Sequence, residues 1–166
     1  MLPLILAMRP WQWIKNLVIF APFLFTVDEW WTPADFSHAA SLLLRTLVAF
    51  ALFCSLSGAV YLINDIADRE KDRLHPRKKE RPIASGQVRV PLAVATTSVV
   101  TLISLSGAFL LSLPFGIATL IYFVANLGYS IALKHVVLVD VLIVAAGYVL
   151  RLAAGSVVVA VVTSPW

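Results

Sequence analysis

One stretch of this chain is polar where its surroundings are apolar: Asn64 to Gly86, NDIADREKDRLHPRKKERPIASG. Its acids follow the pattern N-D-x-x-D-x-x-x-D, as Asn64, Asp65, Asp68 and Asp72. On a helix, Asn64, Asp68 and Asp72 are successive i, i+4 neighbours, and Asp65 lies three residues before Asp68. The four then fall within about a quarter turn of one another. Three carboxylates on one face repel, so a positive charge is expected among them. An oxygen-lined site suits Mg2+, which keeps waters and is usually completed by substrate phosphates. Asn64, Asp65, Asp68 and Asp72 are therefore the candidate metal ligands, with the three acids as candidate catalytic residues. Bases follow at once: Arg73, Arg77, Lys78, Lys79 and Arg81. Metal-binding acid beside phosphate-binding base is the chemistry of a pyrophosphate site, with Arg73 and Arg81 as candidate phosphate contacts. The plainer alternative is a solvated loop whose charges only orient a membrane protein. Acids at helical spacing, begun by an asparagine directly after an apolar span, argue against loop filler.

The elements that must hold this stretch are membrane spans. The chain has 166 residues, 60% of them hydrophobic and 13% charged, with mean hydropathy +0.90. That composition belongs to an integral membrane protein. The net charge is +4. Most of the Lys and Arg residues lie between Asp65 and Arg89, which points to membrane topology and an anionic substrate; no nucleic-acid partner is expected. The single cysteine, Cys54, offers neither a disulfide nor a thiolate metal site. Met1 to Met8 lacks a basic lead, so no cleaved signal peptide is expected.

The apolar runs predict an all-α, polytopic helix bundle with about five spans, near Pro10–Val27, Leu42–Ile63, Val90–Leu113, Pro114–Leu133 and Val136–Val162. Several polar residues interrupt them. Lys15 and Asn16 sit in the first span, where Lys15 either snorkels to the headgroups or faces a polar cavity. Tyr122, Asn126 and Tyr129 recur at i, i+4, i+7 and share a face of the fourth span, which Lys134 and His135 close. In the fifth, Asp140, Gly147 and Arg151 share a face, with Gly155 nearby. Asp140 and Arg151 lie about 16 Å apart along the axis and cannot simply pair with each other. An intramembrane arginine is a candidate functional residue, with a structural ion pair as the alternative.

Charge asymmetry gives an orientation. The segment 28–38 is acidic and should face outward; the basic loop 65–89 and Lys134-His135 should be cytoplasmic. The phosphate-handling groups of a multi-pass cell-membrane protein would then face the cytoplasm.

These residues resemble the UbiA superfamily of intramembrane prenyltransferases. Asn64 to Asp72 matches its first aspartate-rich motif, and Arg81-Pro82-Ile83-Ala84-Ser85-Gly86 the segment that follows. Three further stretches are similar to the branch of decaprenyl-phosphate phosphoribosyltransferases (5-phosphoribosyl-diphosphate transferases). They are RPWQWIKN from Arg9 to Asn16, DRLHP from Asp72 to Pro76, and YSIALKH from Tyr129 to His135 with Asp140 and GYVLRLAAG from Gly147 to Gly155.

The resemblance implies that a polyprenyl phosphate oxygen attacks the anomeric carbon of phosphoribosyl diphosphate while Mg2+ holds the departing diphosphate. The product would be a precursor of arabinose donors for the cell wall. Lys15, Asn16, Asn64, Arg73, Arg81, Asn126, Tyr129, Lys134, Asp140 and Arg151 are the residues expected to bind substrate. The lipid bilayer is the other partner, and a homo-oligomer is compatible with the polar faces on the later spans. The family has about nine spans and a second aspartate-rich motif, so residues 1–166 are expected to be the N-terminal part of the transferase domain, inactive alone. Two alternatives stay open: an aromatic prenyltransferase of the same superfamily using a prenyl diphosphate, and a non-catalytic membrane fragment.

Overall fold

The computed structural model describes residues 2–130 and 137–160. Among these the regular elements are all helices, without a β-strand. A short helix α1 (Leu2–Ala7) leads into a 3-10 helix (Pro10–Phe20), which passes into α2 (Ala21–Phe25). Then come α3 (Phe36–Ala67), α4 (Arg69–Leu74), a 3-10 turn (Lys78–Glu80), α5 (Val90–Leu111), α6 (Leu113–Gly128) and α7 (Val137–Val159). Three helices are long and apolar enough to cross a membrane, in Phe36–Ala67, Val90–Leu111 and Val141–Val159, and Leu113–Gly128 is a shorter apolar helix. Leu44, Leu102, Leu110, Leu113, Val141 and Val149 are among many exposed large apolar side chains. Water would not tolerate so continuous an apolar surface; lipid does.

The first apolar segment departs from the expected α-span. Of its buried residues, Asn16, Ile19 and Pro22 lie three apart, as eclipsed side chains do in a 3-10 helix, and Phe23 joins them where the chain passes into α2. At ~2.0 Å per residue, the 11 residues of the 3-10 helix and the 5 of α2 together reach about 30 Å, the thickness of the hydrocarbon core. Thinner winding thus makes a short stretch long enough to cross.

Helix α3 is the central post. Asp35 caps it, accepting the His38 N–H at 3.1 Å. Its 32 residues measure about 48 Å, well over the ~30 Å hydrocarbon core, and its last turn carries Asn64 and Asp65. The acidic motif is not on one unbroken helix. α3 stops at Ala67, and Asp68 stands at the joint with φ −92° and ψ 0°, ending α3 and beginning α4. Helical hydrogen bonds nevertheless run across the joint, from the Asp68 N–H to the Asn64 carbonyl at 2.9 Å and from the Asp72 N–H to the Asp68 carbonyl at 2.8 Å; Asp65 and Asp72 are buried, and Asp68 is half-buried.

One core cluster joins the segments through Ile19, Phe53, Leu56, Phe115, Tyr122, Ala154 and Val158. A second lies at the motif end and contains Ala7, Leu62, Ile83, Val88 and Ala93. Ile83 is fully buried there, which pins the R-P-I-A-S-G segment against α3. Gly86 turns the chain at φ +81°, a conformation that favours glycine. Ser112 accepts from the Phe115 N–H and starts α6, with Pro114 in its first turn, as the sequence predicts.

Candidate functional site

Pinning the 81–88 loop aims Arg81 back at the acids. Its Nη1 donates to Asp72 Oδ2 at 2.6 Å and to Asp65 Oδ1 at 3.2 Å. Arg9 reaches the same Asp65 oxygen from the other side at 2.6 Å, with its guanidinium 4.9 Å from the centre of the Tyr61 ring. Arg9 itself has φ +53°, a left-handed conformation unusual for a non-glycine residue; it links α1 to the 3-10 helix. The positive charge expected among the acids is thus present as two arginines. Both carboxylates are nearly sealed from solvent, and buried charges of this kind require such partners.

The remaining basic candidates divide. Arg73 is exposed; its Nε donates to the Ala84 carbonyl at 3.1 Å and its Nη1 approaches Glu70. It ties α4 to the 81–86 segment and does not line the cavities described below. Lys134 lies outside the described residues, as does the side chain of Asp140.

Inside the bundle a second polar centre forms around Arg151, which is only 8% exposed. Its Nε donates to Asn16 Oδ1 at 2.6 Å and its Nη2 to the Tyr122 hydroxyl at 3.1 Å. Asn16 in turn donates to Ser57 Oγ at 3.1 Å and contacts Cys54 Sγ at 3.2 Å. The guanidinium also lies 4.9 Å from the Tyr122 ring centre and 5.7 Å from that of Tyr148. Among the described residues no carboxylate pairs with it.

Arg151, Gly147 and Lys15 line a cavity of about 100 Å³ with Tyr61, Tyr122 and Asn126. A neighbouring cavity of about 380 Å³ shares Tyr61, Tyr122 and Asn126 and extends to Asn64 and Tyr129. Tyr122, Asn126 and Tyr129 do share one face, and α6 widens at Tyr129 and Ser130 just where that face meets the larger cavity. Asn64 and Asp65, adjacent on α3, open into different spaces, because consecutive helical residues point about 100° apart. Asp65 lines a pocket of about 200 Å³ with Arg9, Trp11, Arg81 and Pro82. Apolar grooves of about 350 and 470 Å³ lie toward the other end of α3 and carry no candidate residue.

Sequence reasoning missed Arg9 and Tyr61 as members of this region. Arg9 could have been found as a charge just ahead of an apolar span, and Tyr61 as the residue one turn before Asn64. For a metal, Asn64, Asp65, Asp68 and Asp72 supply only oxygen donors, which fits Mg2+. Among the described residues, however, no group of three His, Cys, Asp or Glu side chains is assembled as a metal site. Arg81 contacts the two buried carboxylates instead.

Comparison with known proteins identifies the family. The model of the UbiA prenyltransferase family matches residues 9–166. A decaprenyl-phosphate phosphoribosyltransferase of Mycolicibacterium smegmatis is 37% identical over 163 residues, covering 98% of this chain and 50% of that protein. One of Corynebacterium glutamicum is 36% identical over 166 residues, covering 98% of this chain and 48% of the relative. The chain therefore spans about half the length of these relatives. A solved UbiA homolog from Archaeoglobus fulgidus, described as bound to GPP and Mg2+, superposes with a TM-score of 0.76 at 23% identity, covering 98% of this chain and 56% of that one. On the family match and the shared fold, this multi-pass, all-helical chain belongs to the UbiA prenyltransferase family.

Proposed function

We propose that these residues are the N-terminal part of a transferase that moves 5-phosphoribose from phosphoribosyl diphosphate to a polyprenyl phosphate such as decaprenyl phosphate. The observation that carries the reading is the placement of the acid cluster with Arg9 and Arg81 beside a cavity lined by Asn64, Asn126 and Tyr129 and continuing to Arg151. The similarity to phosphoribosyltransferases over nearly the whole chain supports the same substrates. The product would serve as a precursor of arabinose donors for the cell wall.

In this reaction an acceptor phosphate oxygen forms a bond to the anomeric carbon as the carbon–oxygen bond to diphosphate breaks. The diphosphate leaves with the bonding electron pair. The acceptor is already anionic near neutral pH, so no strong base is required. Asn64, Asp65, Asp68 and Asp72 are the residues that would hold Mg2+, which when bound supplies charge neutralisation for the departing diphosphate. Arg81, beside these acids, would contact the same anion. Asn126 and Tyr129 would line the substrate space, and Lys134 and Asp140 are proposed to complete it. The basic loop 65–89 would place the site at the cytoplasmic surface.

The test is transfer of label from ribose-labelled phosphoribosyl diphosphate into the lipid phase by membranes carrying the full-length protein of which these residues are the N-terminal part, with polyprenyl phosphate and Mg2+. Label should enter the lipid, and Asp68→Asn should reduce its rate by about a thousandfold, equivalent to ~4 kcal/mol. No entry of label into lipid rejects the proposal.

A further inference from the structure

We propose that the cavity around Arg151 is a separate anion site that takes the phosphate monoester headgroup of the lipid acceptor, while the donor diphosphate stays at the acid cluster. This rests on the transferase reading above and divides its two anionic substrates between two places.

Four observations carry it. Arg151 is a buried cation whose contacts among the described residues are neutral: an amide oxygen of Asn16, the Tyr122 hydroxyl and aromatic faces. A full charge at membrane depth held only in this way gains from an anionic ligand. The guanidinium is fixed before any ligand arrives, because two of its nitrogens are anchored. Gly147 leaves the space its third nitrogen needs, since a Cβ there would lie 3.0 Å from Nη1.

Lys15 brings a second cation to the same small cavity, and its other lining residues are neutral: Tyr61, Tyr122, Asn126, Ile143, Val144, Gly147 and Tyr148. The ligand charge is thereby set as negative, and Ile143 and Val144 suit the hydrocarbon beyond the headgroup. Finally, the two centres are apart. Asn16 binds α3 at Ser57, eight residues before Asp65, or about 12 Å along the helix. The span of one diphosphate is shorter than that. The larger cavity that adjoins the Arg151 cavity, lined by Asn64 and Tyr129, leaves room for the sugar.

The experiment measures binding of farnesyl phosphate, farnesol, inorganic phosphate and Mg2+–phosphoribosyl diphosphate to the protein in nanodiscs by calorimetry. Farnesyl phosphate should bind more tightly than either farnesol or inorganic phosphate. Arg151→Met should weaken farnesyl phosphate by about 30-fold, the range of a lost hydrogen bond to a charged group, and leave donor affinity within about twofold. Lys15→Gln, altering an exposed side chain, should weaken it several-fold and carries the test if Arg151→Met fails to fold.

Unchanged farnesyl phosphate binding in the soluble variants, or an equal loss of donor, overturns the assignment. Inorganic phosphate binding as tightly as farnesyl phosphate overturns its lipid part. Arg151-dependent binding of farnesyl phosphate without any phosphoribosyl transfer would leave this site standing and reject the transferase reading; transfer with Arg151-independent acceptor binding would do the reverse.

Discussion

Arg81 and Asp72 meet at 2.6 Å across a loop, and the same guanidinium nitrogen reaches Asp65 at 3.2 Å. The loop 75–89 is thus fastened to the end of α3 by charge as well as by Ile83 and Val88 in the adjacent apolar cluster. Replacing Arg81 with Met leaves Asp72 buried without this counter-charge. Removing one partner of a buried pair costs several kcal/mol, and the partial exposure of Arg81 lowers that to about 2–4 kcal/mol. Arg81→Met should therefore melt well below wild type in detergent, while the double variant Arg81→Met, Asp72→Asn should recover part of the loss. Equal melting temperatures for wild type and Arg81→Met would show that the bridge contributes no stability.

Gly155 lets α7 approach the 3-10 helix so closely that an added Cβ would overlap the carbonyl of Ile19. A backbone atom cannot swing aside. Gly155→Ala should cost about 1–3 kcal/mol by forcing the two segments apart. Ile19 and Gly155 each lie about one turn from the Asn16–Arg151 bond, so this variant should also weaken anion binding at Arg151. Gly58→Ala is the milder contrast, because its Cβ would meet only side-chain atoms of Met8, nearest its movable methyl end, and no backbone atom. Similar losses for the two variants, read by thermal unfolding, would contradict the close approach.

Asp35 supplies a pH-dependent cap. The His38 N–H, then the Ser37 hydroxyl, hold its carboxyl below the ordinary value of 3.8. A lowered folded pKa means the cap's contribution is fully present above 3.8 and is lost as pH falls through the folded value. Asp35→Asn keeps an oxygen acceptor without the charge. The melting-temperature difference between wild type and Asp35→Asn should thus shrink as pH falls below about 3.8. A difference independent of pH would exclude this role.

Much of the fold was legible because apolar runs of membrane length leave few alternatives. The spans around α3, α5 and α7 could be placed from composition, and Pro114 marks the start of α6. The first segment was harder: α and 3-10 windings differ only in which residues are buried together, and the Asn16–Ile19–Pro22 spacing shows its meaning once the neighbours are known. Tyr122, Asn126 and Tyr129 could be grouped because one helix spaces them. The Asn16–Arg151 bond could not, since it joins residues 135 positions apart. The acidic motif was misleading in one respect. Its helical spacing suggests acids gathered around a metal, but Arg81 returns from a loop to join Asp65 and Asp72, and Arg9 reaches Asp65. Local periodicity carries no information about a side chain arriving from elsewhere.

The orientation is open to direct labelling. Cysteines introduced at Lys79 and Asp35, in a background lacking Cys54, should react with a membrane-impermeant maleimide from opposite sides. Lys79→Cys should label only after the cytoplasmic face is opened. Labelling of that position in intact cells would reverse the orientation and remove the site from the cytoplasmic surface.

The most direct measurement of the central claim is the mass of the lipid product made from phosphoribosyl diphosphate and a defined polyprenyl phosphate in the presence of Mg2+. The account predicts a lipid heavier than the acceptor by one phosphoribosyl group, with one diphosphate released per molecule formed. An unchanged acceptor, together with prenyl transfer to an aromatic acid when a prenyl diphosphate is supplied, would contradict it.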